Sequence, residues 1–154
     1  MKDVRIEKII DRQMKEDISK EILLDLPEWF GLPDSTDTYI KEAKERPFWV
    51  AKNKEVLLGF ITLNETSVDC AEVHCMGVKK EYQGQAVGSL LMRTLEKFAT
   101  KKYDYLQVKT VDEGHYKEYD QTISFYKKMG FKKMEVFPNL WDDWNPCLIL
   151  IKKL

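Results

Sequence analysis

The chain has 154 residues, 44% of them hydrophobic, which is typical of a single globular domain, residues 1–154, with its own core. Its net charge of −1 gives no basic surplus of the kind that binding to nucleic acid or a membrane surface needs. Charges at the N-terminus argue against a signal segment, and no apolar run approaches the length of a membrane span. We therefore expect a cytoplasmic protein.

The N-terminal segment predicts one strand followed by a helix. Residues 4–10 form a β-rich run, and residues 12–24 have helical period with Met14, Ile18 and Ile22 on one face. The helix is therefore expected to turn an apolar stripe towards the core.

A second helix follows an irregular aromatic segment, residues 27–33, which contains Trp29 and Phe30. Asp34 or Ser35 is expected to cap this helix, and a proline ends it near residue 46. Aromatic residues in a loop between helices either line a pocket or close the edge of the core, and both interpretations stay open.

Three strands and a long helix occupy the middle of the chain. Residues 48–51 and 56–63 are two β runs joined by a short turn, which indicates a hairpin, and residues 71–78 supply the next strand of an antiparallel meander. A helix is then predicted from Val87 to about Lys101.

The next strand, residues 103–111, follows that helix, so we expect it to lie parallel to the 71–78 strand through a right-handed crossover. Asp120 is expected to cap a helix over residues 121–129, with Gly130 as its left-handed C-terminal residue.

Two closing strands, residues 131–137 and 147–150, complete the predicted sheet. A loop over residues 138–146 separates them and contains Trp141 and Trp144.

The stretch Gln83–Ser89 lies between a strand and a helix. Gly84, Ala86 and Gly88 lack bulk, so the backbone can present several N–H groups together where a helix begins. The positive end of the helix dipole adds to this, and the turn suits a phosphate or pyrophosphate. A tight turn that merely starts a packed helix explains the same glycines, whereas the spacing fits neither a P-loop nor the dinucleotide fingerprint.

The order of elements and two motifs resemble the GNAT superfamily of acyl-CoA-dependent N-acetyltransferases over essentially the whole chain. The motif positions are Gln83, Val87 and Gly88 at the pyrophosphate turn, then Phe125, Tyr126, Gly130 and Phe131 in a Phe-Tyr-x-x-x-Gly-Phe run. The resemblance implies an α/β (α+β), single-domain GNAT-like fold. Its mixed six- to seven-stranded sheet would have an antiparallel meander, then a parallel splayed pair, with helices on both faces.

One residue departs from the family pattern. Ala86 stands where the family usually has glycine, and alanine adopts a positive φ only at a cost. We therefore expect Ala86 near helical geometry, since a steeply left-handed residue there would argue against the resemblance.

The resemblance also implies acetyl-CoA as cosubstrate. Backbone N–H groups of residues 85–89 would hold the pyrophosphate with the Gln83 side chain supporting the loop, and an N–H near Met76 would polarise the thioester carbonyl. The residues implied in coenzyme binding are Met76, Gly77, Val78, Gln83, Gly84, Gln85, Ala86, Val87, Gly88, Ser89, Thr122 and Tyr126. Solvated side chains are expected for Lys79 and Lys80.

The proton transfers are assigned by the same resemblance. Tyr126 matches the position whose hydroxyl protonates the leaving thiolate, although a tyrosine packed in the core gives the same pattern. Glu72 is the first candidate for the base and His74 the second, because they share a strand face. Cys75 points to the other face, which favours direct attack over an acyl-enzyme. Further candidates for the base are Asp112, Glu113 and His115.

The acceptor is expected to be a small, cationic primary amine. The loop aromatics Trp29, Phe30, Trp141 and Trp144, with the carboxylates Glu28, Asp34, Asp142 and Asp143, suit such a cation, but buried Trp anchors explain them equally well. The alternatives are acetylation of a protein or peptide amine and a non-catalytic acyl-CoA-binding module.

A homodimer is possible. No metal is predicted, because Cys70, Cys75, Cys147 and the histidines lack metal-site spacing.

Overall fold

The computed structural model describes residues 3–142 and 144–154. Its elements are β1 (Val4–Ile9), α1 (Arg12–Leu24), α2 (Pro33–Ala43), β2 (Phe48–Asn53), β3 (Val56–Glu65), β4 (Cys70–Val78), a 3-10 turn (Lys80–Tyr82), α3 (Val87–Ala99), β5 (Tyr105–Val111), α4 (Lys117–Lys128), β6 (Lys132–Asp142) and β7 (Asn145–Lys153). The strand order is β1-β2-β3-β4-β5-β7-β6. The β4–β5 pair is parallel, which confirms the predicted mixed sheet and the parallel pairing of these two strands.

The chain forms two compact units. The first contains the residues up to Asn64 together with His74–Phe98, and the second contains Glu65–Val73 and Ala99–Leu154. Strand β4 therefore gives its first residues to the second unit and the remainder to the first. None of the helices in the described ranges is long and apolar enough to cross a membrane.

The core of the first unit lies between α1, α2 and strands β1–β3. The Phe48 and Phe60 rings stack with their centroids 5.2 Å apart, and Ile22 and Leu23 of α1 are fully buried. The β2–β3 pair is antiparallel, which confirms the predicted hairpin, and the β1–β2 pair is antiparallel as well. Burial of these apolar side chains is the main stabilising term of the unit.

Helix α1 begins and ends where the sequence predicted, but its buried face differs. Asp11 caps it by accepting a hydrogen bond from the Met14 N–H at 2.8 Å. Ile18 is buried as expected, whereas Met14 is 43% exposed, so its predicted place in the apolar stripe is wrong. Lys15 is buried instead, because its ammonium donates to the Arg46 carbonyl oxygen at 2.7 Å while its stem packs beneath.

The predicted cap of α2 is also wrong. Leu32 is the N-cap residue and makes no side-chain hydrogen bond, and Pro33 occupies the first turn. Proline suits that position because its φ is already helical and its missing N–H would have no helical partner. Asp34 and Ser35 therefore lie inside the helix.

In the second unit, α4 begins earlier than predicted. It starts at Lys117, and Asp120 accepts a hydrogen bond from the Gly114 N–H at 2.9 Å, so this carboxylate tethers the preceding loop instead of capping the helix. Gly130 has φ of +98°, which confirms it as the left-handed residue after the helix.

Most of the predicted loop over residues 138–146 is strand. β6 extends to Asp142, and β7 begins at Asn145. A short turn joins them, in which the Asp142 carboxylate accepts hydrogen bonds from the Trp144 and Asn145 N–H groups at 2.9 and 2.8 Å. Asp143, one of the predicted loop carboxylates, lies outside the described residues.

Replacing Gly77 by alanine is expected to destabilise the protein by about 1–3 kcal/mol, the usual cost of overpacking. A Cβ at this position would lie 3.0 Å from Leu26 Cδ1 and 3.2 Å from Ile22 Cγ2. Urea denaturation measures the loss. In the Gly77→Ala, Leu26→Ala double variant the shortened Leu26 side chain removes part of the clash, so the two effects should be less than additive. Full additivity would contradict the packing explanation.

Candidate functional site

Two residues with left-handed backbone lead the chain from β4 into α3. Gly84 has φ of +76° and Ala86 has φ of +66°, with Gln85 between them. Backbone in which left-handed residues alternate with others can turn successive N–H groups towards one side, as in a nest for an anion. The turn therefore has backbone angles that are compatible with the anion site that the sequence suggested.

The expectation that Ala86 lies near helical geometry is wrong. Glycine, the usual residue of the family at this position, adopts a positive φ freely, so the left-handed Ala86 does not argue against the resemblance. The first bond of α3 runs from the Leu90 N–H to the Ala86 carbonyl oxygen at 3.1 Å, so Ala86 is the residue at which the chain enters the helix. The left-handed turn there directs the N–H groups of Val87, Gly88 and Ser89, which precede the helical ladder, out of the helix end. An L-residue in this conformation costs about 1–2 kcal/mol.

Two side-chain amides hydrogen-bond the turn to the residues that precede it. Gln83 Nε2 donates to the Val78 carbonyl oxygen at 2.9 Å, and Gln85 Nε2 donates to the Glu81 carbonyl oxygen at 3.2 Å. The first bond ties the turn to the end of β4, and the second ties it to the 3-10 turn. The Gln83 bond is of the kind that the family resemblance implies.

The two lysines before the turn are paired with carboxylates. Lys79 Nζ lies 2.6 Å from Glu21 Oε2, and Lys80 Nζ lies 2.9 Å from Glu28 Oε1. The hydrogen bond to Glu28 raises the pKa of Lys80. An anion at the turn would therefore depend mainly on backbone N–H groups.

Strand β4 alternates between a buried face and a partly exposed one. Glu72, His74 and Met76 lie on the partly exposed face, as the period of two predicts, and Cys75 and Gly77 lie in the core. The missing side chain of Gly77 leaves room for Ile22 and Leu26 of α1 and its following turn. Any ligand alongside β4 would therefore meet the other face.

His74, within the first unit, has hydrogen-bonding partners on both ring nitrogens. Nε2 lies 2.9 Å from Glu42 Oε2, and Nδ1 lies 2.9 Å from Thr62 Oγ1. The Tyr39 ring meets the imidazole edge to face, with centroids 5.6 Å apart. Sequence reasoning missed Glu42 and Thr62, because neither lies in a motif and they are 32 and 12 residues away from His74.

Glu72, within the second unit, forms an ion pair with Lys109 of β5. The Lys109 Nζ lies 2.7 Å from Glu72 Oε2, and the Glu72 side chain is largely buried. Parallel pairing of β4 with β5 places Glu72 opposite Gln107, which brings Lys109 within reach. A carboxylate held in this way has a defined position and a neighbouring cation to offset its charge.

Tyr126 is 7% exposed and packs among aromatic side chains of the second unit. The Phe125 and Phe131 rings meet it edge to face at centroid distances of 5.5 and 5.7 Å. Thr122, one turn earlier, donates its hydroxyl to the Glu118 carbonyl oxygen at 3.0 Å. The Phe-Tyr-x-x-x-Gly-Phe run therefore forms an aromatic cluster at the end of α4.

The remaining candidates for the base lie on the exposed loop before α4. Glu113 forms ion pairs with Lys133 and Lys127, and His115 is exposed. These pairs occupy Glu113 at the protein surface.

The two buried thiols, Cys75 and Cys147, lack the properties of nucleophiles. Burial raises the pKa of Cys75 well above its usual range and raises the pKa of Cys147 to about 11, so both thiols stay protonated near neutral pH. Within residues 3–142 and 144–154, no group of three or more His, Cys, Asp or Glu side chains is arranged to hold a metal ion.

The aromatic residues named for the acceptor fall into two groups. Trp29 and Phe30 are partly buried and pack against the core of the first unit. In the second unit, Trp144 is 82% exposed and Trp141 is 44% exposed, so neither is a buried anchor.

Residues 44–133 match the family model of the acetyltransferase (GNAT) domain. An uncharacterized N-acetyltransferase of Methanocaldococcus jannaschii is 28% identical over 112 residues, which cover 69% of this chain and 65% of that protein. The N-alpha-acetyltransferase RimI of Mycobacterium tuberculosis is 35% identical over 63 residues, 41% of this chain and 35% of that protein. The matched segment thus spans about two thirds of the length of the Methanocaldococcus jannaschii protein and about one third of the length of RimI.

A solved structure has the same fold. The GNAT family acetyltransferase of Elizabethkingia anophelis with acetyl-CoA bound superposes with a TM-score of 0.75, at 16% identity, over all of both chains. The family match covers more than half of the chain and shows that it belongs to the GNAT acetyltransferase family.

Replacing Ala86 by glycine is expected to stabilise the protein by about 0.5–1 kcal/mol. Glycine removes the left-handed strain of about 1–2 kcal/mol, offset by about 0.4–1 kcal/mol of added unfolded-state entropy. Urea denaturation measures the change. Ser89→Gly, in the first turn of α3 without a positive φ, is the control and should destabilise. A loss of stability in Ala86→Gly would contradict the explanation that the left-handed backbone at Ala86 is strained.

Proposed function

We propose that the protein is an acetyl-CoA-dependent N-acetyltransferase that acts on a primary amine. The observation that carries the proposal is the turn before α3, in which two left-handed residues and a helix start combine in an anion-binding nest. Family membership supports it, as does the acetyl-CoA bound to the Elizabethkingia anophelis relative.

The pyrophosphate of acetyl-CoA would accept hydrogen bonds from the N–H groups of residues 85–89. The positive end of the α3 dipole favours the same negative charge. The Met76–Val78 segment would accompany the pantetheine arm, and the Met76 N–H would donate to the thioester oxygen as negative charge develops there. The turn residues and these strand residues are therefore the proposed coenzyme site, with Thr122 and Tyr126 as further contacts.

The reaction requires balanced proton transfers. The acceptor nitrogen begins as an ammonium and ends as an amide, so it loses two protons, and the sulfur gains one. Glu72 would take the first proton, directly or through water. The nitrogen lone pair then attacks the carbonyl carbon, the C–S bond breaks, and the Tyr126 hydroxyl protonates the thiolate. The second nitrogen proton restores that hydroxyl.

Two residues of β4, Glu72 and His74, are candidates for the base, and Glu72 is the stronger proposal. It lies on the partly exposed face of β4, and Lys109 holds it in place. Both ring nitrogens of His74, the second candidate, are engaged by protein groups. Direct attack is favoured because the buried thiols are protonated.

The proposed acceptor is a small, cationic primary amine. In support, the exposed Trp141 and Trp144 lie on either side of Asp142 in the sequence, and aromatic rings together with carboxylates suit a cation. A peptide α-amine is the second candidate, because the RimI relative carries the name of an N-alpha-acetyltransferase. Comparing the turnover of diamines with the turnover of short peptides that have free N-termini separates the two candidates.

The homodimer stays a prediction, and sedimentation velocity measures the oligomeric state.

Replacing Ser89 by glutamate is expected to abolish stabilisation by coenzyme A. The new carboxylate would stand at the start of α3 and repel the pyrophosphate. In the wild type, coenzyme A at 100 times its Kd should stabilise the fold by about 2.7 kcal/mol. Ser35→Glu, an exposed residue in the first turn of α2, is the matched control and should keep this effect. Equal stabilisation of both variants would contradict the proposed coenzyme site.

Replacing Tyr126 by phenylalanine is expected to lower kcat by about 10²–10⁴-fold, the usual contribution of a general acid. Coenzyme A release from acetyl-CoA, measured over a panel of amines, reports kcat, and stabilisation by coenzyme A should persist. Tyr119→Phe, a partly buried tyrosine of the same helix, is the control. If the wild type is stabilised by coenzyme A but acetylates no amine, the protein is a non-catalytic binding module instead.

A further inference from the structure

A chain of hydrogen bonds crosses the first unit from α2 to a peptide group of β4. Glu42 Oε2 lies 2.9 Å from His74 Nε2, and His74 Nδ1 lies 2.9 Å from Thr62 Oγ1. Thr62 Oγ1 lies 3.3 Å from the Cys75 carbonyl oxygen. Thr62 is fully buried, the His74 side chain is 6% exposed, and the Glu42 side chain is 42% exposed. The chain therefore runs from the protein surface to the backbone.

The number of protons in this chain determines the form of His74 that fits it. The Thr62 hydroxyl has one proton, and if it donates to the Cys75 carbonyl, Nδ1 must donate to the Thr62 oxygen. The ionised Glu42 carboxylate only accepts, so Nε2 must donate as well. The doubly protonated imidazole therefore makes all the bonds at once. Glu42, which also lies 3.7 Å from Arg46, carries the compensating negative charge.

The last bond of the chain acts on one particular peptide group. The Cys75 carbonyl and the Met76 N–H belong to the same planar unit and point in opposite directions. A hydrogen bond from Thr62 to that carbonyl therefore sets the direction of the Met76 N–H and polarises it as a donor. The Met76 N–H contacts the Cys75 sulfur, which is a weak acceptor that a carbonyl oxygen can replace.

We propose that Glu42, His74 and Thr62 are positioning residues that orient the Met76 N–H towards the thioester carbonyl of acetyl-CoA. This inference rests on the proposed function, which assigns that N–H to the developing oxyanion. The three side chains act through the peptide group and not on the substrate. The assignment also uses both ring nitrogens of His74 within the protein and leaves the base to Glu72.

Thr62→Val removes the hydroxyl at nearly constant volume, and Thr62→Ser keeps it. The probe is a ketone analogue of acetyl-CoA, with a methylene group between sulfur and a ¹³C-labelled carbonyl, which binds without reacting. In the wild type and in Thr62→Ser, the bound carbonyl stretch should lie below its solution frequency, because the Met76 N–H polarises it. In Thr62→Val it should return towards the solution value. A purely structural role for Thr62 would not move this band.

Turnover provides the second measurement. Thr62→Val should lower kcat by about tenfold, less than the roughly 10²–10³-fold for loss of an oxyanion donor, while stabilisation by coenzyme A is unchanged. Glu42→Gln, at the exposed end, should shift the band and kcat in the same direction and tests the chain even if Thr62→Val fails to fold. Glu45→Gln, which removes an exposed carboxylate paired with Arg12, is the control and should change neither.

The outcomes separate the inference from the proposed function. Wild-type band positions and kcat in Thr62→Val and Glu42→Gln would overturn the positioning chain and leave the acetyltransferase intact. If the wild type binds neither coenzyme A nor the ketone analogue, the proposed function fails, and the positioning chain fails with it. A shifted band in Thr62→Val, restored in Thr62→Ser, supports the chain.

Discussion

The left-handed backbone at the entry to α3 is the constraint on which the candidate site depends. Gly84 and Ala86 both have positive φ, and the chain passes through them from the end of β4 into the helix, whose first N–H groups have no partner within it. At Ala86 the conformation costs about 1–2 kcal/mol. Buried side chains of α3, such as Leu91 and Leu95, bury enough apolar surface to offset that strain.

Strand β4 is the second element that organises the molecule. Its alternation sends Cys75 and Gly77 into the core and keeps Glu72, His74 and Met76 on the other face. Charged or polar groups at such a depth are stable only when they are paired. Glu72 accordingly meets Lys109, and His74 meets Glu42 and Thr62.

These pairings give the polar groups of β4 defined orientations before any ligand binds. Groups that are already oriented lose little entropy when a reaction begins, which is the physical basis of electrostatic preorganisation. Tyr126 is held differently, by the rings of Phe125 and Phe131, which restrict its side chain through packing. Polar pairing thus orients the β4 residues, and aromatic packing orients Tyr126.

Local patterns in the sequence predicted the elements well where one face of an element is buried. The limits of α1, the parallel β4–β5 pair and the left-handed Gly130 all follow from periodicity, order or glycine chemistry. The prediction of β6 was right over residues 132–137 and wrong beyond them, where the strand continues to Asp142 through the expected loop. Its side chains are almost all exposed, so no apolar alternation marks it.

The sequence by itself determined the order of the elements, the small-residue turn and the positions of the candidate side chains, because these are local properties. Only the tertiary structure decided that Lys15 is buried in place of Met14, that Ala86 is left-handed, and which groups pair with His74. Lys15 bonds to Arg46, 31 residues away, and His74 bonds to Glu42, 32 residues away. The folded backbone brings such groups together, and local sequence patterns do not predict contacts between residues so far apart in the chain.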